Sequence, residues 1–199
     1  MDAVMQHIPE LALAGALAWG AGLRLYLVIC GLGLAGLFGW MPLPEHLKLL
    51  TSPVVIGAAG FMAAVEAFAD KLPWLDSIWD GLQTFIRIPA GAALAAGVFG
   101  DAGAGVALAA ALLGGSVTAA THFSKAGARA AANTSPEPFS NLSLSLIEDV
   151  AVVGGSWLAV QFPVVFLVLL AIFLLSAGLL LHWLVKGVRR LFSAGEARA

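Results

Sequence analysis

Apolar residues run along this chain in long blocks, and polar residues gather in short stretches between them. A helix needs about 20 apolar residues to cross a bilayer, so each block is measured against that length. Leu11 to Trp40 is long enough to span with a tilt or a break, and carries Gly15, Gly20, Gly22 and Arg24 near its middle. Pro53 to Ala69 follows a polar connection punctuated by Pro42, Pro44 and Pro53. Two more blocks, Pro89 to Phe99 and Val106 to His122, flank a turn predicted at Gly100-Asp101-Ala102-Gly103, and their Ala and Gly content suits close helix packing. After a polar stretch from Lys125 to Asn141, Pro163 separates Leu142 to Phe162 from Val164 to Val185. The pattern predicts about six transmembrane helices.

Residues 74–86 read differently. Leu75, Ile78, Trp79, Leu82, Phe85 and Ile86 recur at helical spacing, with Asp76 and Asp80 on the other face. That periodicity predicts an amphipathic helix lying in the membrane interface.

Composition agrees with a membrane setting. The chain is 60% hydrophobic and 11% charged, whereas a soluble domain has about 25% charged residues. Residues 1–199 read as a single all-α integral membrane domain, with no linker or polar tail large enough for a second one. A formal net charge of −2 and the absence of a basic stripe speak against nucleic acid as a partner. The single cysteine, Cys30, excludes an intramolecular disulfide and a cysteine-based zinc site. No motif asks for a cofactor. The segment MDAVMQHIPE lacks the positive start of a cleavable leader, so the first block is expected to stay in the membrane.

The basic residues orient the six-span reading. With both termini cytoplasmic, Lys71, Arg87, Lys125, Arg129, Lys186, Arg189, Arg190 and Arg198 fall inside and Lys48 outside, as the positive-inside rule requires. Six spans invite division into halves, 10–100 and 101–190. Ser52-Pro53 precedes Glu66 much as Ser135-Pro136 precedes Glu148. Three spans per half would invert the second copy, as in many secondary transporters.

The chemistry lies in carboxylates within apolar blocks. A charge at mid-membrane costs at least about 2.5–3.5 kcal/mol, so such residues face a bundle interior or a cavity and mark ion, proton or substrate paths. Glu66 and Asp70, spaced i and i+4, share one helix face, with Lys71 near enough to pair. Glu148, Asp149, Asn141, Ser143 and Ser145 could complete an oxygen cage for a hard cation from the other half. A desolvated carboxyl could instead carry a proton in a coupled cycle. A third reading is a structural network in which Arg24, Arg87, Lys125 or Arg129 neutralises the acids and nothing moves. Arg24, between glycines and a possible helix break, is either a carboxylate's counter-ion or an anion ligand. His122, three residues before Lys125, is a candidate proton-handling or anion-binding group. Residues 133–141, NTSPEPFSN, are either a re-entrant loop or a cytoplasmic loop capping the fifth span through Ser140 or Asn141. No nucleophile elbow, P-loop or GxGxxG is present, which leaves soluble-type catalysis without support.

The runs EAFADKLPWLDSIWD (66–80), TFIRIPAG (84–91) and NTSPEPFSN (133–141) before Glu148-Asp149 resemble a bacterial multi-pass membrane family, domain of unknown function 4126. The resemblance covers nearly the whole chain, although GAGLRLY (20–26) departs from the pattern associated with that place. It implies an integral membrane protein of the bacterial inner membrane and carries no activity. The leading expectation is transport of a small solute or cation, with proton coupling, through a central acidic site; a homo-oligomer is compatible. The alternatives are a scaffold held by structural ion pairs and, third, an intramembrane lipid-modifying enzyme with Asp76 and Asp80 at headgroup level.

Overall fold

The computed structural model describes residues 7–132 and 138–196, without the side chains of 73, 74, 77, 138–141, 183–185 and 187–196. The segment 133–137 and the Ser140 and Asn141 side chains, considered above as a re-entrant loop or a cap, therefore lie outside the described residues. Among the described residues six α-helices follow one another: α1 (Ile8–Leu37), α2 (Pro53–Ala69), α3 (Pro73–Val98), α4 (Ala104–Ala132), α5 (Pro138–Gln161) and α6 (Pro163–Glu196). Short 3-10 segments, Glu45–Thr51 and Gly100–Ala102, join α1 to α2 and α3 to α4. No strand occurs among the described residues.

Four helices open on proline, whose fixed φ suits the first turn and whose missing N–H is not needed there. α1 closes with Gly39 at φ 70°, where Trp40 N–H donates to Ala35 O at 2.8 Å and Gly39 N–H to Gly36 O at 3.2 Å. Gly103, at φ 96°, makes the reversal before α4 that the sequence predicted.

α1 does not cross the bundle. Arg24 has non-helical angles, φ −143° and ψ 70°, and the chain folds back there. A β-carbon at Gly20 would lie 2.7 Å from Val28 Cγ2, whereas eight residues of unbroken helix would separate them by about 12 Å. Both ends of α1 accordingly line one cavity of about 680 Å³, where His7 and Leu13 meet Met41 and Pro44. The turn at Phe99–Ala102 and Ala159–Val160 of α5 reach the same cavity. α2 therefore leaves this end, α3 returns to it, α4 leaves, α5 returns and α6 leaves. The predicted first span is a helical hairpin with its apex at Arg24. That places the start of α1 and the far end of α6 at opposite ends of the bundle, correcting the expectation of six through-going spans with both termini on one side.

By length and apolarity, Ile8–Leu37, Ala104–Ala132, Leu142–Gln161 and Pro163–His182 qualify as membrane helices; Glu45–Thr51 with Pro53–Ala69, bent by 69°, makes a fifth candidate. Several apolar helices thus fit a membrane protein.

The predicted interfacial helix is a second correction. Residues 74–86 form the first half of α3, which runs unbroken through Pro89 to Val98. Its faces are reversed relative to an interfacial helix: Ile78, Leu82, Phe85 and Ile86 are exposed, while Asp76, Asp80, Gln83 and Arg87 are buried. In lipid the apolar face turns outward and the polar face must find partners inside. α4 likewise continues past His122 to Ala132, so Lys125 and Arg129 are buried helix residues, not loop residues.

Small residues set the packing between α1, α3 and α4. A β-carbon at Gly91 would meet Thr118 Oγ1 at 1.9 Å, one at Gly114 the Ala95 β-carbon at 2.4 Å, and one at Gly22 the Thr118 carbonyl oxygen at 2.8 Å. Thr118 Oγ1 donates within this contact, 2.8 Å from both Ala18 O and Gly114 O. The tight pairing expected of the Ala/Gly-rich blocks is present. It brings the polar faces of α3 and α4 against the apex of the α1 hairpin.

Candidate functional site

The break at Arg24 removes helical partners from the carbonyls just before it, which carry the partial negative charge of a helix C-terminus. Two cations take their place. Arg87 Nη1 donates to Gly22 O at 3.4 Å, and Lys125 Nζ donates to Leu23 O at 2.9 Å.

Around this apex each helix except α6 presents polar side chains on one face. α2 supplies Glu66 and Asp70, one turn apart. α3 supplies Asp76, Asp80, Thr84 and Arg87, at i, i+4, i+8 and i+11. α4 supplies His122, Lys125 and Arg129, and α5 supplies Ser145, Glu148 and Asp149. All but Thr84 and Asp149 are buried.

Arg24 Nη2 donates to Ser145 Oγ at 2.6 Å and Ser145 O at 3.3 Å, while Nη1 pairs with Asp70. Its Nε lies 2.8 Å from Asp149 Oδ1 and 3.5 Å from Glu148 Oε2. Arg129 grips Glu148 through Nε to Oε1 (3.1 Å) and Nη2 to Oε2 (2.9 Å), and also donates to Asp70 Oδ2 (3.1 Å) and Asp76 Oδ1 (3.2 Å). Arg87 pairs with Glu66 through Nη2 and with Asp80 through Nη1 at 3.2 Å. Lys125 Nζ lies 3.3 Å from Glu148, 3.7 Å from Glu66 and 3.8 Å from Asp80. The two acidic groups of the sequence, Glu66-Asp70 and Glu148-Asp149, thus meet in one network.

The network is unbalanced. Glu66, Asp70, Asp76, Asp80, Glu148 and the partly exposed Asp149 oppose Arg24, Arg87, Lys125 and Arg129, so carboxylates outnumber cations by six to four among the described residues of the network and by five to four in its buried part. Glu66 Oε2 and Asp70 Oδ1 are buried with no hydrogen-bond donor, and Arg24 Nε and Arg87 Nε find no acceptor at bonding angle. Buried polar groups are normally satisfied, so this centre is under-filled.

His122 has a defined state. Arg87 Nη1, which can only donate, lies 3.2 Å from Nδ1, so Nδ1 is the acceptor. Thr84 Oγ1 gives its hydrogen to Asp80 O at 3.0 Å and therefore accepts from His122 Nε2–H at 2.7 Å. The ring is the neutral tautomer with its proton on Nε2.

A crevice of about 240 Å³ between α3 and α4 leads to this side of the centre. Asp76, Asp80, Thr84, His122 and Arg129 form its floor, with Gly81, Phe123, Ala126 and Ala130 at its walls and mouth.

Lys71 is exposed, and Glu66 and Asp70 take their cations from Arg87, Arg24 and Arg129. Asn141 lies outside the described side chains, Ser143 is exposed, and Ser145 bonds Arg24. Among the described residues no group of three or more His, Cys, Asp or Glu side chains is placed to hold a metal ion. The sequence reading missed Asp76, Asp80 and Thr84 as members of the centre. Their i, i+4, i+8 spacing with Arg87 was a visible signal, discounted because an interfacial helix also has a polar face.

The family model for a domain of unknown function, DUF4126, matches residues 11–183. The chain belongs to the DUF4126 family. The match takes in every member of the ionic centre from Arg24 to Asp149, so the centre lies wholly inside the DUF4126 domain. No curated protein and no solved structure matches this DUF4126 chain.

Proposed function

We propose that the ionic centre is a transport site, moving a small cation or a small solute coupled to protons across the bacterial inner membrane. One observation carries this reading: a largely buried network in which carboxylates outnumber cations is built around the apex of a broken helix. Broken helices at membrane depth are tolerated where their freed backbone groups serve a cavity or a site, and they recur at the binding sites of secondary transporters. A surplus of buried negative charge is costly unless a proton or a cation joins it, and binding and release of that charge is what coupled transport requires.

The end bearing Lys71 and Lys186 faces the cytoplasm in this reading, and the open end of the α1 hairpin, with Lys48 its single basic residue, faces out. The outward apolar residues, Phe61, Phe85, Leu112 and Val150 among them, meet lipid. Two inverted halves, 10–100 and 101–190, are not needed for this mechanism, and the hairpin in the first half has no counterpart among the described residues of the second.

A static scaffold is the second reading, favoured by Arg129, whose three carboxylate partners join α2, α3, α4 and α5. A lipid-modifying enzyme draws no support from Asp76 and Asp80, which face the interior.

Reconstitution separates the two. Flux is measured in proteoliposomes over a panel of cations and pH gradients, for wild type, Glu66→Gln and Glu148→Gln. Transport predicts a solute whose flux falls at least tenfold in both variants. Absence of flux for every solute, or undiminished flux in both variants, removes the reading.

A further inference from the structure

In the buried part of the ionic centre one more positive charge would balance the carboxylates against the cations. Among the described residues two carboxylate oxygens there are buried without a donor, Glu66 Oε2 and Asp70 Oδ1, and both residues are fully buried. They lie one turn apart on α2.

The two acids are not equally served. Asp70 accepts through Oδ2 from two guanidinium groups, Arg24 Nη1 and Arg129 Nη2. Glu66 accepts through Oε1 from one, Arg87 Nη2, while Lys125 Nζ stands 3.7 Å from the same oxygen, beyond hydrogen-bond reach. Both cations are also drawn elsewhere, Arg87 to Asp80 and the Gly22 carbonyl, Lys125 to the Leu23 carbonyl at 2.9 Å and to Glu148 at 3.3 Å. The charged groups facing Glu66 are thus Arg24 of α1, Asp70 of α2, Arg87 and Asp80 of α3 and Lys125 of α4, with Glu148 of α5 beyond that lysine. None of them gives Oε2 a hydrogen.

An ionised oxygen in a dry interior with no donor keeps the full desolvation cost of its charge. A metal ion could relieve it only with several ligands at once, and among the described residues no three His, Cys, Asp or Glu side chains are placed to hold one. A proton needs one oxygen. His122 is not its place, since a second proton on that ring would sit on Nδ1 and point at the Arg87 guanidinium. Glu66 Oε2 is, and a proton there leaves four buried carboxylates against four cations.

We infer that Glu66 is the proton-binding residue of the centre, neutral with its proton on Oε2 while the other buried carboxyls are ionised. The inference rests on the transport reading in that it names the charge the centre takes up and gives back.

Infrared spectroscopy of the full-length protein reads this proton directly, because the C=O stretch of a protonated carboxyl stands apart from the carboxylate bands. Exposed acids are ionised at neutral pH. The expected spectrum at that pH therefore has one protonated-carboxyl band, which moves when glutamate is isotopically labelled at its side-chain carboxyl and stays when aspartate is. Labelling changes no residue, so a folding defect cannot mimic the result. Glu66→Gln is expected to remove the band and Glu148→Gln to keep it. Absence of the band, a band that follows the aspartate label, or a band undiminished in Glu66→Gln overturns the inference. Thermal stabilisation by sodium chloride over choline chloride at fixed pH, lost in Glu66→Gln and with no band in the wild type, assigns the bare oxygens to a metal cation and overturns it as well.

The band and the flux are read separately. A Glu66 band in a protein that moves no solute in proteoliposomes keeps the proton site and removes the transport reading. Flux that falls in Glu66→Gln, with no protonated-carboxyl band in the wild type, keeps transport and removes the proton.

Discussion

Arg129 and Glu148 form a two-point guanidinium–carboxylate contact, Nε to Oε1 at 3.1 Å and Nη2 to Oε2 at 2.9 Å, which ties α4 to α5 inside the bundle. The same guanidinium reaches Asp70 and Asp76. Loss of the two partners is therefore unequal. Arg129→Gln removes a cation from three carboxylates at once and is expected to destabilise by about 3–5 kcal/mol, while Glu148→Gln leaves Arg129 two carboxylates and costs less. Arg129→Lys behaves more like Arg129→Gln, because an ammonium lacks the planar fork. Thermal denaturation in detergent checks the order; a Glu148→Gln loss as large as that of Arg129→Gln contradicts it.

The hairpin in α1 fixes a topology. In a Cys30→Ser background, single cysteines at His7 and at Pro42 are expected to react with a membrane-impermeant maleimide from the same side, and a cysteine at Lys186 from the opposite side. A first helix that crossed the membrane would put His7 and Pro42 on different sides.

Glycine substitutions separate contact from space. Gly22→Ala would put a methyl 2.6 Å from Thr121 Cβ and 2.8 Å from Thr118 O, and Gly114→Ala would collide with Ala95. Each is expected to lower stability by about 1–3 kcal/mol through overpacking. Gly57 and Gly127 have nothing within 4 Å of an added β-carbon, and alanine there is expected to raise stability by about 0.5–1 kcal/mol. Melting temperatures of the four variants decide; tolerance of Gly22→Ala would show that α1 and α4 do not meet as described.

The His122 tautomer is directly observable. Nitrogen NMR of labelled histidine should show one ring with an unprotonated Nδ1 and a protonated Nε2. Thr84→Val removes the acceptor for that proton, and the Nε2 signal should shift while Nδ1 keeps its bond to Arg87. A doubly protonated ring in the wild type would contradict the assignment.

Several features were legible in the sequence and for identifiable reasons. Membrane character follows from composition, the starts of α2 and α6 from Pro53 and Pro163, and the Gly100–Gly103 turn from glycine between apolar runs; Pro89, read as a start, lies inside α3. Glu66 and Glu148 stood out because an acid inside an apolar block has few tolerable environments. Asp76 and Asp80 were harder, since a polar stripe on one helix face fits both a membrane surface and a polar bundle core. Lys125 and Arg129 were read as loop cations because charge after an apolar run usually marks a boundary.

What the sequence determined by itself is therefore local: which segments are helical, where those opened by Pro53 and Pro163 start, and which charged residues must find partners. The tertiary structure decided which partners. Only packing around Gly22, Gly91 and Gly114 brings α3 and α4 against α1 closely enough for Arg87 and Lys125 to reach the carbonyls freed at Arg24. Whether a long apolar run crosses or folds back is likewise decided there. A break at one residue costs hydrogen bonds that nothing nearby in sequence can replace, and side chains about 60 and 100 residues away replace them.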